Sequence, residues 1–265
     1  MLLSSVVIVL REVLEAMLLM SLFMALSVHL QISRRWVFGA VLLGVLGAYT
    51  YFIWFDAVSD WFDGLGQEVF NALCQFGIYL CLLVFNILLL GTVKRAVPKK
   101  LFIIVILVAT TLAMSREGAE IFLYISSFTS MADKLTAVLT GSLFGASIGF
   151  SVGVLIYYGV LNLPHWLTLK VCFGVLSLVA AGMVSQAVRL LIQIDWLPAS
   201  EPVWNTSDWI SETSVTGQLL YALISYESTP SLLEVQSHLA AIGLIIICTI
   251  LYYWRVQSIG DQHEG

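Results

Sequence analysis

Two pentads of one pattern carry the residues able to do chemistry. Arg11-Glu12-Val13-Leu14-Glu15 and Arg116-Glu117-Gly118-Ala119-Glu120 both read R-E-x-x-E. Residues three apart on a helix project about 60° from each other, so Glu12 sides with Glu15 and Glu117 with Glu120. Arg11 and Glu15 stand four apart and can pair along the helix, and Arg116 and Glu120 repeat that spacing. Four carboxylates converging from two helices make an oxygen-rich cage. Hard cations, oxidised iron among them, favour such donors, and ferrous iron and manganese accept them. The guanidinium groups only donate hydrogen bonds and cannot ligate. Arg11 and Arg116 instead hold the empty cage, and an arriving cation either displaces them or takes the place of protons on the glutamates.

Both pentads sit inside long apolar runs, from Leu2 to Val28 and from Leu101 to Tyr124. A charge at the centre of a membrane helix costs about 2.5–3.5 kcal/mol on insertion scales. Six unrelieved charges would cost on the order of 15–20 kcal/mol, so pairing or a ligand must relieve most of it. Two readings follow: carboxylates facing a hydrophilic path, or a structural ion-pair network that locks two helices together.

The elements that position these residues follow from composition. The 265 residues are 60% hydrophobic and 11% charged, with mean hydropathy +0.96, which excludes an ordinary soluble core. The expected fold is all-α: a single polytopic membrane domain over residues 1–265. Seven runs reach the roughly 20 residues that cross a hydrocarbon core, at about 2–28, 36–54, 70–93, 101–125, 135–161, 167–193 and 236–254. The first is too long and too charged for a cleavable signal and reads as a retained span. Arg34, Arg35, Lys94, Arg95, Lys99 and Lys100 fall in the connections after spans one and three. Asp56, Asp60, Asp63 and Glu68 follow span two, and the long connection 195–235 is acidic. Basic connections mark the cytoplasm, which places the N-terminus outside and the C-terminus inside. Spans one and four then run in opposite directions, each opening half of a 3+3 inverted repeat with one helix added. Trp36, Trp54, Trp61, Trp166, Trp196 and Trp254 lie near span ends, as an aromatic belt requires.

Other residues carry less. Glu68, before span three on the outer side, either attracts cations near an entrance or is a solvated loop charge. Asn71, Gln75 and Asn86 line a path or bond across helices. Arg189 is a snorkelling anchor or a functional group. Met17, Met20 and Met24 read as packing. Cys74, Cys81, Cys172 and Cys248 fall in apolar runs without metal spacing and read as buried thiols. His29, His165, His238 and His263 sit at or beyond span ends and never cluster, and none is taken as a ligand. No nucleotide loop, nucleophile–base arrangement or haem or flavin signature is present, so the chain does not read as an enzyme.

The two pentads and this topology resemble the oxidase-linked iron permease family, which includes fungal high-affinity iron permeases and bacterial Efe-type transporters. The stretches Val203-Trp204-Asn205-Thr206-Ser207-Asp208-Trp209 and Tyr226-Glu227-Ser228-Thr229-Pro230-Ser231 also look like the last external loop of bacterial members. The chain departs at Asn71, where bacterial relatives often carry an acid. The resemblance implies seven spans with an outside N-terminus, and iron coordination by Glu12, Glu15, Glu117 and Glu120. Arg11, Arg116 and Glu68 are the supporting residues. It implies transported Fe2+ or Fe3+ with no permanently bound cofactor, a bacterial inner membrane, and an extracytoplasmic partner that binds or oxidises iron. The resulting expectation is an iron-importing permease. The rivals are a permease for another divalent metal, and a non-transporting membrane subunit that uses the carboxylates for proton relay or structural pairing.

Overall fold

A computed structural model describes residues 1–91, 98–212 and 214–261. Lys94, Arg95 and His263 lie outside the described residues. Nine α-helices account for most of what is described: α1 Leu2–His29, α2 Trp36–Ile53, α3 Phe55–Ser59, α4 Gly66–Gly91, α5 Lys99–Ser126, α6 Ala132–Leu161, α7 His165–Gln193, α8 Val215–Ile224 and α9 Leu232–Asp261. No strand occurs among the described residues beyond one isolated bridge, Pro202 to Ser231.

The breaks follow local chemistry. Pro98 and Pro164 stand immediately before α5 and α7, where a missing N–H costs nothing. Ser214 caps α8 by accepting from the Gly217 amide at 3.0 Å. Ser231 and Glu234 form a reciprocal capping box at the head of α9: Ser231 N donates to Glu234 Oε2 at 2.5 Å, and Glu234 N to Ser231 Oγ at 3.3 Å. Between α3 and α4, Phe62 and Asp63 take positive φ and turn the chain into α4.

Six helices are long and apolar enough to cross a membrane: Trp36–Ile53, Gly66–Gly91, Lys99–Ser126, Asp133–Leu161, His165–Gln193 and Leu232–Arg255. The 28-residue α1 is as long but carries Arg11, Glu12 and Glu15. Large apolar side chains stand exposed on the outside of the bundle, such as Phe38, Leu42, Leu73, Leu143 and Leu155, a surface that suits lipid and not water. Inside, Phe23 stacks edge-on against Trp36 and Phe85, and Phe85 against Phe102, tying α1, α2, α4 and α5 into one apolar core.

The main helix pairs are α1 with α6, α2 with α5, and α4 with α7. Glycines make the first two close. A Cβ on Gly145 of α6 would lie 2.5 Å from the Val6 carbonyl oxygen, and one on Gly44 of α2 would lie 2.6 Å from Met114 Cβ on α5.

Three sequence readings need correction. Trp36 is not in an aromatic belt: it is 4% exposed and its Nε1 donates to Ser27 Oγ at 3.0 Å, because α2 starts against α1. The other five tryptophans of that set are exposed. The connection 195–235 is not loop throughout, since it contains α8. His29 and His165, read as never clustering, stand together, with ring centroids 5.5 Å apart.

Candidate metal centre

Glu12 and Glu15 leave α1 toward α5, and Glu117 and Glu120 leave α5 toward α1. Glu12, Glu15 and Glu117 are buried, and the Glu120 side chain is 26% exposed. Close approach makes the meeting possible. Ser5 Oγ and the Tyr124 hydroxyl hydrogen-bond at 2.8 Å between α1 and α5. Ala48 of α2 sits where a Cβ on Gly118 would reach 2.9 Å, so the small residue of the second pentad lets α5 lie on α2.

Arg116 is the organiser. Its Nη1 donates to Glu117 Oε1 at 2.6 Å and lies 3.8 Å from Glu15 Oε2, while Nη2 lies 3.2 Å from Glu120 Oε1. One guanidinium thus bridges both pentads. Arg11 behaves differently from the expected spacing. It grips its neighbour Glu12, from Nη2 at 2.5 Å and Nε at 2.9 Å, rather than Glu15 four residues on. Tyr221 of α8 explains the choice, because its ring lies 5.5 Å from the Arg11 guanidinium and holds it by a cation–π contact.

Glu12, Glu117 and Glu120 each offer an oxygen within 4.8 Å of the other two. Glu15 stands beside this trio on Arg116. Glu15 Oε2, Glu117 Oε2 and Arg116 Nε are buried without a hydrogen-bond partner among the described residues. Buried acceptors left unmatched are costly, and a cation would satisfy them.

A cavity of about 490 Å³ adjoins the cluster and reaches Glu120 of the trio. Glu120, Arg11 and Arg116 bring the pentads into its lining. Glu68, Asn71 and Gln75 of α4, Gln186, Arg189 and Gln193 of α7, and Gln218 and Tyr221 of α8 complete the lining. Gln75 Nε2 donates to Gln186 Oε1 at 2.7 Å and joins α4 to α7 at the cavity lining. Arg189, left open by the sequence, is ion-paired with Glu227 of the long connection. Met17, Met20 and Met24 pack in or against the apolar core, and all four cysteines are free thiols; Cys172 is buried as expected, but Cys74, Cys81 and Cys248 are only partly so. Tyr221 and Gln218 were missed, having no pattern to mark them in a connection.

Residues 92–260 match the Iron permease FTR1 family, a stretch covering well over half of the chain and including the second pentad. The chain belongs to the iron permease FTR1 family. Curated relatives carry the same message at low identity. "Ferrous iron permease EfeU" of Escherichia coli O6:H1 is 26% identical over 252 residues, 86% of this permease and 88% of the relative. The protein of that name from Yersinia pestis is 25% identical over 251 residues, 85% of each chain. No solved structure matches. The permease is a multi-pass membrane protein of the Efe-type iron permease group, and iron transport is the activity that membership carries.

Proposed function

We propose that the chain, as one permease domain over residues 1–265, imports iron through the carboxylates of Glu12, Glu15, Glu117 and Glu120. The observation that carries this reading is the bridging of both pentads by Arg116 with three carboxylate oxygens gathered within 4.8 Å. Four ionised glutamates and two arginines total a formal −2, which a divalent ion neutralises. Burying that cluster is then far cheaper loaded than empty. Iron enters the cavity past Glu68, meets Glu120 in its lining, and displaces Arg116 from Glu117 and Arg11 from Glu12. The guanidinium groups return as the ion leaves, so no carboxylate stays unpaired through the cycle. No resident cofactor is required, and nothing here calls for enzymatic turnover.

Orientation and repeat belong to the same proposal. Lys99 Nζ donates to the Gln31 carbonyl oxygen at 3.1 Å, so the basic connections 30–35 and 98–100 share one end of the bundle. Phe62 meets Trp196 at 5.7 Å, so the acidic connections share the other, where the cavity opens. These placements support α1 as a seventh span with its N-terminus outside, in a bacterial inner membrane. The pairing of α1 with α6 and of α5 with α2 supports the 3+3 inverted repeat, since exchanging the halves turns one pair into the other. The exposed acidic connections are where an extracytoplasmic iron-binding or iron-oxidising partner would deliver its ion. The test is iron uptake by cells whose importer is this chain. Glu15→Gln and Glu120→Gln should abolish uptake with the protein still in the membrane, and wild-type uptake by either variant would refute the reading. Manganese outcompeting iron in the same cells would favour the other-metal rival.

A further inference from the structure

His29 closes α1 and His165 opens α7, at the end of the bundle away from the glutamates. The two Nδ1 atoms face each other at 3.4 Å. Two imidazole nitrogens bound to one tetrahedral ion at about 2.0–2.1 Å stand about 3.3 Å apart. The observed spacing fits two ligands sharing a metal, and it is longer than the usual direct hydrogen bond between rings.

The far side of His29 decides which nitrogen is available. Thr168 is buried in the first turn of α7, and its hydroxyl donates to the carbonyl oxygens of Leu163 at 3.1 Å and Pro164 at 3.2 Å. Donating to these carbonyls leaves Thr168 Oγ1 with lone pairs to accept from His29 Nε2, which lies 3.4 Å away. Nε2 then carries the ring hydrogen of the neutral imidazole, and Nδ1 presents its lone pair toward His165. Metal-binding histidines are oriented in this way, by an acceptor at the nitrogen that does not ligate. Pro164, at the N-cap of α7, fixes the backbone that carries both Thr168 and His165. His165 is exposed and His29 half-buried, so an ion and its remaining water ligands can reach the pair.

We propose that His29 and His165 form a second metal site, taking a divalent transition-metal ion whose coordination water completes. Fourteen residues of α1 separate Glu15 from His29, about 21 Å at the helical rise, so the two sites are independent in space. They also differ in chemistry. The glutamates offer only oxygen, whereas an imidazole pair selects divalent iron, zinc, nickel or cobalt over hard ions. Two protein ligands with open positions make a site that releases its ion readily. This inference goes beyond the transport reading and does not rest on it, because binding is measured directly.

The test is Co2+ titration of the purified full chain in detergent, followed by visible absorption. Tetrahedral Co2+ with nitrogen ligands absorbs strongly, and six-coordinate Co2+ on oxygen only weakly. Wild-type protein and Glu117→Gln should give the same saturable band, with Fe2+ competing under anaerobic conditions. His165→Ala and His29→Ala should each remove the band, and Thr168→Val should weaken binding by roughly tenfold or more. His165 is exposed at a helix start, so its variant keeps the test valid even where His29→Ala fails to fold. An unchanged titration in His165→Ala, or a band lost in Glu117→Gln and kept in the histidine variants, would overturn the proposal.

Discussion

Arg116 holds three carboxylates from two helices with one guanidinium, and a lysine cannot reproduce that fork. Arg116→Lys should keep the protein in the membrane and lower iron uptake severely, as measured by radiolabelled uptake normalised to protein. Arg116→Met removes the positive charge from buried glutamates and should destabilise the bundle by about 3–5 kcal/mol, read as loss of the monodisperse detergent peak on heating. Glu227 gives a prediction outside the spans. Burial pushes its carboxyl up to about 7; Arg189 opposes the shift, and Glu234 and Glu212 add to it. The folded connection holds a proton that the unfolded chain would release near pH 4.5. That contribution to stability is complete below about pH 4.5 and is lost as pH rises through 7. Glu227→Gln should flatten the thermal stability of the protein between these limits, with Arg189, Glu212, Glu234 and nearby His238 left in place. At this scale the sequence displayed the acids but not their partners. The i, i+4 rule picks Glu15 for Arg11, whereas the structure gives it Glu12, because Tyr221 arrives from two hundred residues away. Only the fold can supply such a contact.

The helices deliver the glutamates through close packing, so the glycines at their crossings are as consequential as the acids. Gly145→Val puts a branched side chain against the Val6 carbonyl and the Leu10 amide, and α1 must move off α6. The expected cost is about 1–3 kcal/mol, with Glu12 and Glu15 displaced and uptake reduced. Gly159, whose Cβ would meet nothing within 4 Å, should accept Ala without loss in the same assay. Hydropathy alone marks the long helices, since each needs only an apolar run bounded by Pro, charge or a cap. It does not mark α8, whose ten residues are too few to stand out, nor the burial of Trp36, which depends on α1 lying alongside. The meeting of His29 and His165 was equally invisible. Each histidine terminates its own apolar run, and only the packing of α7 beside α1 brings them together.

Across the whole molecule, basic connections gather at one end and acidic ones at the other, with the cavity opening at the acidic end. Single cysteines at Asp208 and Asp60, on a background with the four native cysteines replaced, should react with an impermeant thiol reagent from outside. One at Lys100 should react only after permeabilisation, and the opposite pattern would invert the proposed direction of transport. Composition made the all-helical, multi-span architecture legible, because lipid imposes length and apolarity on the sequence. The depth and polarity of the cavity were not legible, since its wall is assembled from α4, α7 and α8, with one or two polar residues from each turn. The most direct measurement of the central claim is radiolabelled iron uptake into vesicles containing only the purified protein, with ferrous and ferric iron compared. Wild-type protein should accumulate iron inside the vesicles, and Glu117→Gln, reconstituted to the same density, should accumulate none. Equal accumulation by the two would contradict the assignment of the iron path to these glutamates.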